Sequence, residues 1–364
     1  MKKNRIILLF CCYFLVFIGI LFVYSASMYS AQVNYNNKYY FLIKQIIGAL
    51  LGSVGLIFFS NFNYQKLKKF SIPVLIFSFI CLILVFIPHI GVENYGAKRW
   101  IGFGPITIQA SEIAKFGFIL FSASYLSNHF NNVTNFKTLL PVILVGGAMC
   151  GLILLEPNMS VTICLALTLV AMLFIGGMKL KYMALFGGMG AMAVPLLILA
   201  KPYRVKRLTA FLNPWANPKG EGFQLIQSLY SLGAGGLFGV GLFNSKQKYL
   251  FLPFSESDFI FSIIGEETGF VGCVLLISIF VLLIISGIKI AYSCHERFGC
   301  YLATGITSII AIQTFINIAV VTGSIPPTGL PLPFISAGSS SLIVFMSAIG
   351  VLNNISKQSK TQFV

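Results

Sequence analysis

The sequence predicts an all-α, polytopic membrane protein of about ten transmembrane helices, with a large extracellular loop between helices 7 and 8. Three observations lead there. Of 364 residues, 57% are hydrophobic and 9% are charged, and the mean hydropathy of +0.90 is far above that of an ordinary soluble domain. The apolar residues form long continuous runs, close to the roughly 20 residues a helix needs to cross a bilayer. The charge sits in the connections between runs. Unsatisfied backbone amides are too costly in lipid for irregular chain, so the runs imply helices, and residues 1–364 form one integral membrane domain.

In chain order the spans centre near Ile18, Leu51, Ile80, Ile119, Leu144, Leu167, Met192, Leu275, Ile310 and Phe345. The first follows Met1-Lys2-Lys3-Asn4-Arg5 and ends near Ser25-Ala26-Ser27, which imitates a secretory signal. Its apolar stretch of about 20 residues exceeds a signal core, so a retained helix is expected. An even number of spans places both termini on one side. Lys2, Lys3, Arg5, the group Lys66, Lys68 and Lys69, and the pairs Lys179/Lys181 and Lys357/Lys360 fall on that side, which the positive-inside rule makes cytoplasmic. The segment 201–257 is then external. It carries seven basic residues, which long loops tolerate. The last external loop, Ser324 to Phe334, has no charge, and its prolines forbid a helix.

Smaller features have structural readings. Gly48/Gly52 and Gly147/Gly151 have the small-xxx-small spacing of close helix packing. The eight cysteines, Cys11, Cys12, Cys81, Cys150, Cys164, Cys273, Cys294 and Cys300, lie in or beside apolar runs without zinc-like spacing and read as packing residues. The net charge of +16 is spread over short loops without interleaved aromatics, which argues against nucleic acid and for membrane orientation plus an anionic ligand. No internal repeat of the kind found in many secondary transporters is visible.

Three groups can carry chemistry. Asp258 is the chain's single aspartate and stands at the outer entry to a predicted helix. There it suits either a helix cap or a general base, because partial burial raises a carboxyl pKa. The stretch Lys201 to Arg207 holds Arg204, Lys206 and Arg207, followed by Gln224, Gln227 and Ser228. Guanidinium forks bind phosphate oxygens in pairs, so this loop suits a diphosphate or anionic lipid headgroups. The third group is Lys98-Arg99-Trp100 with Gln109, Ser111, Glu112 and Lys115, in which Glu112 and Lys115 stand at i,i+3 and can pair.

Taken together these residues resemble the shape, elongation, division and sporulation (SEDS) family of FtsW, RodA and SpoVE. The resemblance covers nearly the whole chain. It rests on Gly96 to Ile101, Gln109 to Lys115, Arg207 to Trp215, Gly235 to Gly241, Ser257 to Phe261 with Glu266-Glu267, and Pro327 to Ser336. Asn213-Pro214-Trp215 and Asn244 to Lys248 are closer to the division and sporulation branch than to the rod-elongation branch. The chain departs from the usual pattern at Asn158, Phe254, Ala110 and Ala337.

The resemblance implies a peptidoglycan glycosyltransferase of the bacterial cytoplasmic membrane, acting in cell division, cell shape or sporulation. It would polymerise lipid II, its donor and acceptor, at the external face with inversion. Implied partners are a class B penicillin-binding protein (a transpeptidase), other divisome or sporulation proteins, and membrane lipid; no nucleic acid is expected. Asp258 would be the catalytic residue. Substrate-binding candidates are Arg99, Glu112, Lys115, Arg204, Lys206, Arg207, Gln224, Gln227, Ser228, Lys248 and Ser336. No cofactor is required, with a divalent cation (Mg or Mn) as the alternative source of positive charge. A lipid II flippase and a non-catalytic scaffold for the transpeptidase are the competing readings. A transporter is expected to line a path through the midplane with charge, whereas here the charge gathers at one face.

Overall fold

The computed structural model describes residues 2–94, 97–103 and 106–361, so Met1 and the motif residue Gly96 lie outside the described residues. The chain opens with α1 (Lys2–Tyr35), α2 (Tyr40–Asn61), a short α3 (Tyr64–Lys69) and α4 (Ser71–Leu84). After a small sheet come α5 (Ala110–Asn128), α6 (Phe136–Leu155), α7 (Met159–Ile175) and α8 (Leu180–Leu199). The long loop holds α9 (Pro202–Leu212) and α10 (Phe223–Gly235), and the chain finishes with α11 (Ile260–Tyr292), α12 (Arg297–Val321) and α13 (Ser339–Thr361). The helices α1, α2, α6, α11, α12 and α13 are each long and apolar enough to cross a membrane. The helices α4 and α7 are shorter but apolar, as is the stretch Leu180–Leu196 of α8, and α5 carries Glu112 and Lys115. These ten match the ten expected spans.

Packing explains the order. The central element is α12, which lies against α5, α7 and α11 and buries Ile306, Ile309, Ile310 and Val321. The first helix is an integral part of the bundle, with Leu8, Leu15, Val23 and Ala26 fully buried. The helices α2 and α13 run alongside each other because glycines let the backbones approach: a methyl at Gly48 would stand 2.9 Å from the Cα of Ser339, and one at Gly52 would stand 2.6 Å from the Met346 sulfur. The same expectation is corrected for Gly147 and Gly151. Added methyls there meet nothing within 4 Å, because that face of α6 points away from the bundle. All eight cysteines are free thiols, buried or partly buried.

Two elements were not anticipated. Three strands, β1 (Gly91–Asn94), β2 (Ala97–Phe103) and β3 (Ile106–Gln109), form an antiparallel sheet in that order. Val92, Trp100, Ile101, Thr107 and Ile108 supply strand-forming side chains in a segment too short and polar to span lipid. The long loop is also more ordered than a connection need be, since Pro202 opens α9 at a position where its missing N–H costs nothing.

The long loop is stitched into α11 at a break. Gly269 has φ 69°, which interrupts the helix after Thr268 and which a side chain would strain. The freed backbone groups find partners in the loop. The N–H groups of Val240 and Gly241 donate to the carbonyls of Glu266 and Glu267, and those of Phe270 and Val271 donate to Gly236 and Leu237. Residues 260–268 therefore form a short helical piece leading away from Asp258. It crosses α10 so closely that the Gly265 carbonyl occupies the place of a methyl on Gly235. Gly235→Ala is expected to cost about 1–3 kcal/mol by overpacking, read as a lower midpoint in thermal unfolding of the detergent-solubilised protein.

Helix alternation gathers the chain ends at one end of the bundle. At the other end lie the loops made by the described residues of 85–109, together with 156–158, 200–259 and 322–338.

Candidate active site

Four of those loops meet around Asp258. Its carboxyl is partly buried just ahead of α11. Arg99 and Arg207 act on it electrostatically from β2 and α9, and Glu256 acts from the same loop. Burial pushes the carboxyl up to about 6, with Glu256 adding to the rise and Arg99, Arg207 and a hydrogen bond from Ser257 opposing it. The fourth loop, 322–338, places Gly329 against the carboxyl, with the position of an absent Cβ only 3.1 Å from Asp258 Oδ2. Beside these residues opens a cavity of about 210 Å³, bordered by Arg207, Glu221, Phe223, Gln224, Phe254 and Pro327.

Arg99 is fixed by backbone. Its Nε donates to the Glu156 carbonyl at 3.3 Å and its NH2 group donates to Pro157 at 2.6 Å. Burial holds its guanidinium below the usual range while Asp258 pulls the other way. Glu156, at the end of α6, is 1% exposed and neither carboxyl oxygen has a hydrogen-bond partner. Burial pushes it up to about 8, opposed by Arg99. Glu256 is likewise raised by burial, against hydrogen bonds from its own N–H and Ser255.

The basic helix α9 divides its charge. Arg204 is buried, its Nε donating to the Tyr203 hydroxyl at 3.0 Å, while Lys206 and Arg207 are exposed. On α10, Gln224 donates to the Pro253 carbonyl at 3.3 Å and Gln227 is partly buried. Ser336 sits beneath the loop that carries Asp258, its hydroxyl donating to the Ser257 carbonyl at 2.5 Å and accepting from the Leu332 N–H at 2.8 Å.

Glu112, Lys115, Lys248 and Ser228 are also turned inward. Lys115 Nζ lies 2.8 Å from Glu112 Oε1 with both side chains fully buried, and it also donates to Gln313 Oε1 at 2.6 Å. Ser341 closes the other side of Glu112 at 3.1 Å. Lys248 is 1% exposed and spends its charge on Glu267 at 3.2 Å, Ser25 and the Phe243 carbonyl. Ser228 donates to the Val321 carbonyl at 2.7 Å and pairs with Ser262. The physical reason is common to the charged members: a charge that near the membrane is tolerable only when a neighbour neutralises it.

Several residues at the site were missed. Gln313 and Asn317 stand four apart on one face of the apolar α12, and polar residues so placed are functional candidates by default, a signal present in the sequence. Gly329 had no such signal, because its role depends on which loop folds back over Asp258. Among the described residues no three His, Cys, Asp or Glu side chains converge as a metal site would require.

Comparison with known proteins agrees with this geometry. Residues 5–361 match the family described as cell cycle protein, FtsW/RodA/SpoVE. Stage V sporulation protein E of Bacillus subtilis is 40% identical over 347 residues, covering 95% of each chain. A probable peptidoglycan glycosyltransferase FtsW of Trichlorobacter lovleyi is 41% identical over 342 residues, covering 93% of this chain and 89% of the relative. Among solved structures, a chain from a peptidoglycan synthase complex coordinating polymerization and crosslinking superposes with a TM-score of 0.79 at 28% identity, over 97% of both chains. The rod shape determining protein RodA of Thermus thermophilus shares the fold with a TM-score of 0.71 at 23% identity, over 96% of both chains. With a match along almost its whole length and motifs gathered at one end of a ten-helix bundle, the chain belongs to the FtsW/RodA/SpoVE family of cell cycle proteins.

Proposed function

We propose that the chain is a peptidoglycan glycosyltransferase that polymerises lipid II, with Asp258 as general base. The observation that carries this reading is that Asp258 lies within the electrostatic reach of both Arg99 and Arg207, each from a different part of the chain. A carboxylate raised to about 6 is ionised at neutral pH yet basic enough to accept a proton. Asp258 takes the proton from the 4-hydroxyl of the acceptor N-acetylglucosamine as that oxygen attacks the anomeric carbon of the donor. The bond to undecaprenyl diphosphate breaks, the leaving group departs with the electron pair, and the configuration inverts. The exposed Arg207 and Lys206, with Arg99 behind them, stabilise the charge gathering on the diphosphate. A diphosphate leaves without protonation by a second carboxylic acid, so one acid residue suffices.

In this reading Glu112, Lys115, Ser228 and Lys248 hold the site together and do not touch substrate. The Asp258 end is the external face, because Lys2, Lys3, Arg5, Lys66, Lys68 and Lys69 gather at the opposite end with both termini. The relatives named as peptidoglycan glycosyltransferases support the reaction class, and the synthase complex, which couples polymerization to crosslinking, supports a crosslinking partner, for which a class B transpeptidase is the candidate.

The test is purified protein given labelled lipid II, with and without a candidate transpeptidase. Glycan strands are the expected product. Translocation alone would indicate a flippase and neither activity a scaffold, and either result overturns the proposal. The rate should be half-maximal near pH 6 and fall about tenfold per unit below it, as Asp258 protonates. Glu256→Gln removes a charge that raises Asp258, so the acid limb should move to lower pH.

A further inference from the structure

We infer that Asn317 is a positioning residue for this reaction: its amide ties the backbone of Asp258 to the loop that carries Gly329 and so fixes where the carboxylate stands. The inference rests on the glycosyltransferase reading. Asn317 is 1% exposed on α12. Its Nδ2 donates to two carbonyls from distant parts of the chain, Asp258 at 2.9 Å and Leu330 at 2.7 Å.

The surroundings show that both ends of this bridge matter. One turn earlier on α12, Gln313 donates to the neighbouring Pro331 carbonyl at 2.9 Å while accepting from Lys115 at 2.6 Å. Two successive carbonyls of the proline-rich loop are therefore gripped by two amides one turn apart on one helix. On the far side, Ser336 of the same loop holds the Ser257 carbonyl, and the Ala337 N–H donates to the Glu256 carbonyl at 2.9 Å. Carbonyls 256, 257 and 258 each receive one donor, and the position of an absent Cβ on Gly329 lies 3.1 Å from the Asp258 carboxyl. The proline-rich segment, uncharged and barred from helix formation, thereby acquires a purpose: it is the wall against which the carboxylate is set.

The amide does this at a cost. Asn317 Oδ1 is buried without a hydrogen-bond partner. An orphaned acceptor of this kind opposes folding, so an apolar residue would serve better here if the only requirement were to fill space. Its retention is accounted for by the two donated bonds. Because a displacement near 1 Å at a reacting group costs on the order of 10²-fold in rate, a tether at this point acts mainly on turnover.

The experiment compares wild type, Asn317→Ala and Asn317→Asp in polymerisation of labelled lipid II, with hydrogen exchange on the same samples. Asn317→Asp keeps the shape but turns the donor into an acceptor facing two carbonyls. Both variants should lose about 10²-fold in kcat with KM within about twofold. Their acid limb should move below that of wild type as the released carboxylate reaches water and leaves the field of Arg99, Arg207 and Glu256. The amides of 257–260 and 330–332 should exchange faster. Gly329→Ala, whose added methyl would stand 3.1 Å from Asp258 Oδ2, should reproduce the fall in kcat from the opposite side and serves if the Asn317 variants do not fold. Unchanged kcat in variants that fold, or a loss confined to KM, overturns the inference while leaving the glycosyltransferase reading intact. Wild type that forms no glycan overturns both, and unchanged exchange in the variants removes the tether itself.

Discussion

Asp258→Asn is expected to abolish polymerisation, with a loss of about 10³-fold or more, while the purified protein remains folded and as thermostable as wild type. The substitution preserves shape in a place where shape is constrained, since even a methyl on Gly329 would stand 3.1 Å from Oδ2. It removes only the ability to take a proton. Arg99 and Arg207 remain to bind the diphosphate, so lipid II should still bind. The stability half of the expectation follows from linkage. Because the folded carboxyl titrates near 6 and the ordinary value is 3.8, the folded protein holds this proton more tightly than the unfolded chain. The group's contribution to stability is therefore greatest below 3.8, declines as the pH rises from there to about 6, and stays reduced above. Asparagine carries no such penalty, so at pH 8 the variant should unfold at a temperature equal to or above that of wild type. A variant that polymerises lipid II at the normal rate sinks the assignment of Asp258. One that fails to bind substrate places the residue in recognition instead of proton transfer.

The sequence made some of this legible and not the rest, for reasons that can be traced to particular residues. The ten spans were readable because lipid imposes one requirement on every crossing, a long apolar run, and that requirement is local. Asp258 stood out because it is the chain's single aspartate and precedes a helix. Arg99 and Arg207 could be named as cations, but their convergence depends on β2 and α9 folding toward the same loop, more than a hundred residues apart in sequence. The sheet of β1, β2 and β3 was hidden because its strands are short and the surrounding chain is dominated by helix signals. Lys248 illustrates the opposite error. A lysine in a basic external loop reads as a phosphate ligand, yet the break at Gly269 folds Glu267 toward it and the charge is consumed internally. Residue type states what a side chain can do, and the tertiary neighbour decides whether that capacity is left over for a ligand.

This distinction has a thermodynamic consequence at Glu112 and Lys115. Lys115→Ala is expected to destabilise the protein by about 3–5 kcal/mol, because it leaves a fully buried carboxylate without its counter-charge. The damage spreads along a chain of contacts. Gln313 Oε1 loses its donor, and Gln313 is the residue that grips Pro331 in the loop beside Asp258. Ser341 of α13 loses the other anchor of the same carboxylate once Glu112 protonates or moves. The double variant Glu112→Gln/Lys115→Met separates charge from shape. It removes both charges, keeps a side chain of similar length at each position, and leaves a glutamine able to accept from Ser341. Replacing a buried pair by neutral residues of similar volume is often neutral or stabilising, so the double variant should recover most of the midpoint lost in Lys115→Ala. Its polymerisation rate should remain below wild type, since methionine offers Gln313 no hydrogen bond and the loop is held less firmly. If Lys115→Ala instead unfolds at the wild-type temperature and loses only substrate affinity, the lysine is reaching a ligand after all. Thermal unfolding of the three proteins in detergent, read beside KM for lipid II, decides between a charge that braces the site and one that binds in it.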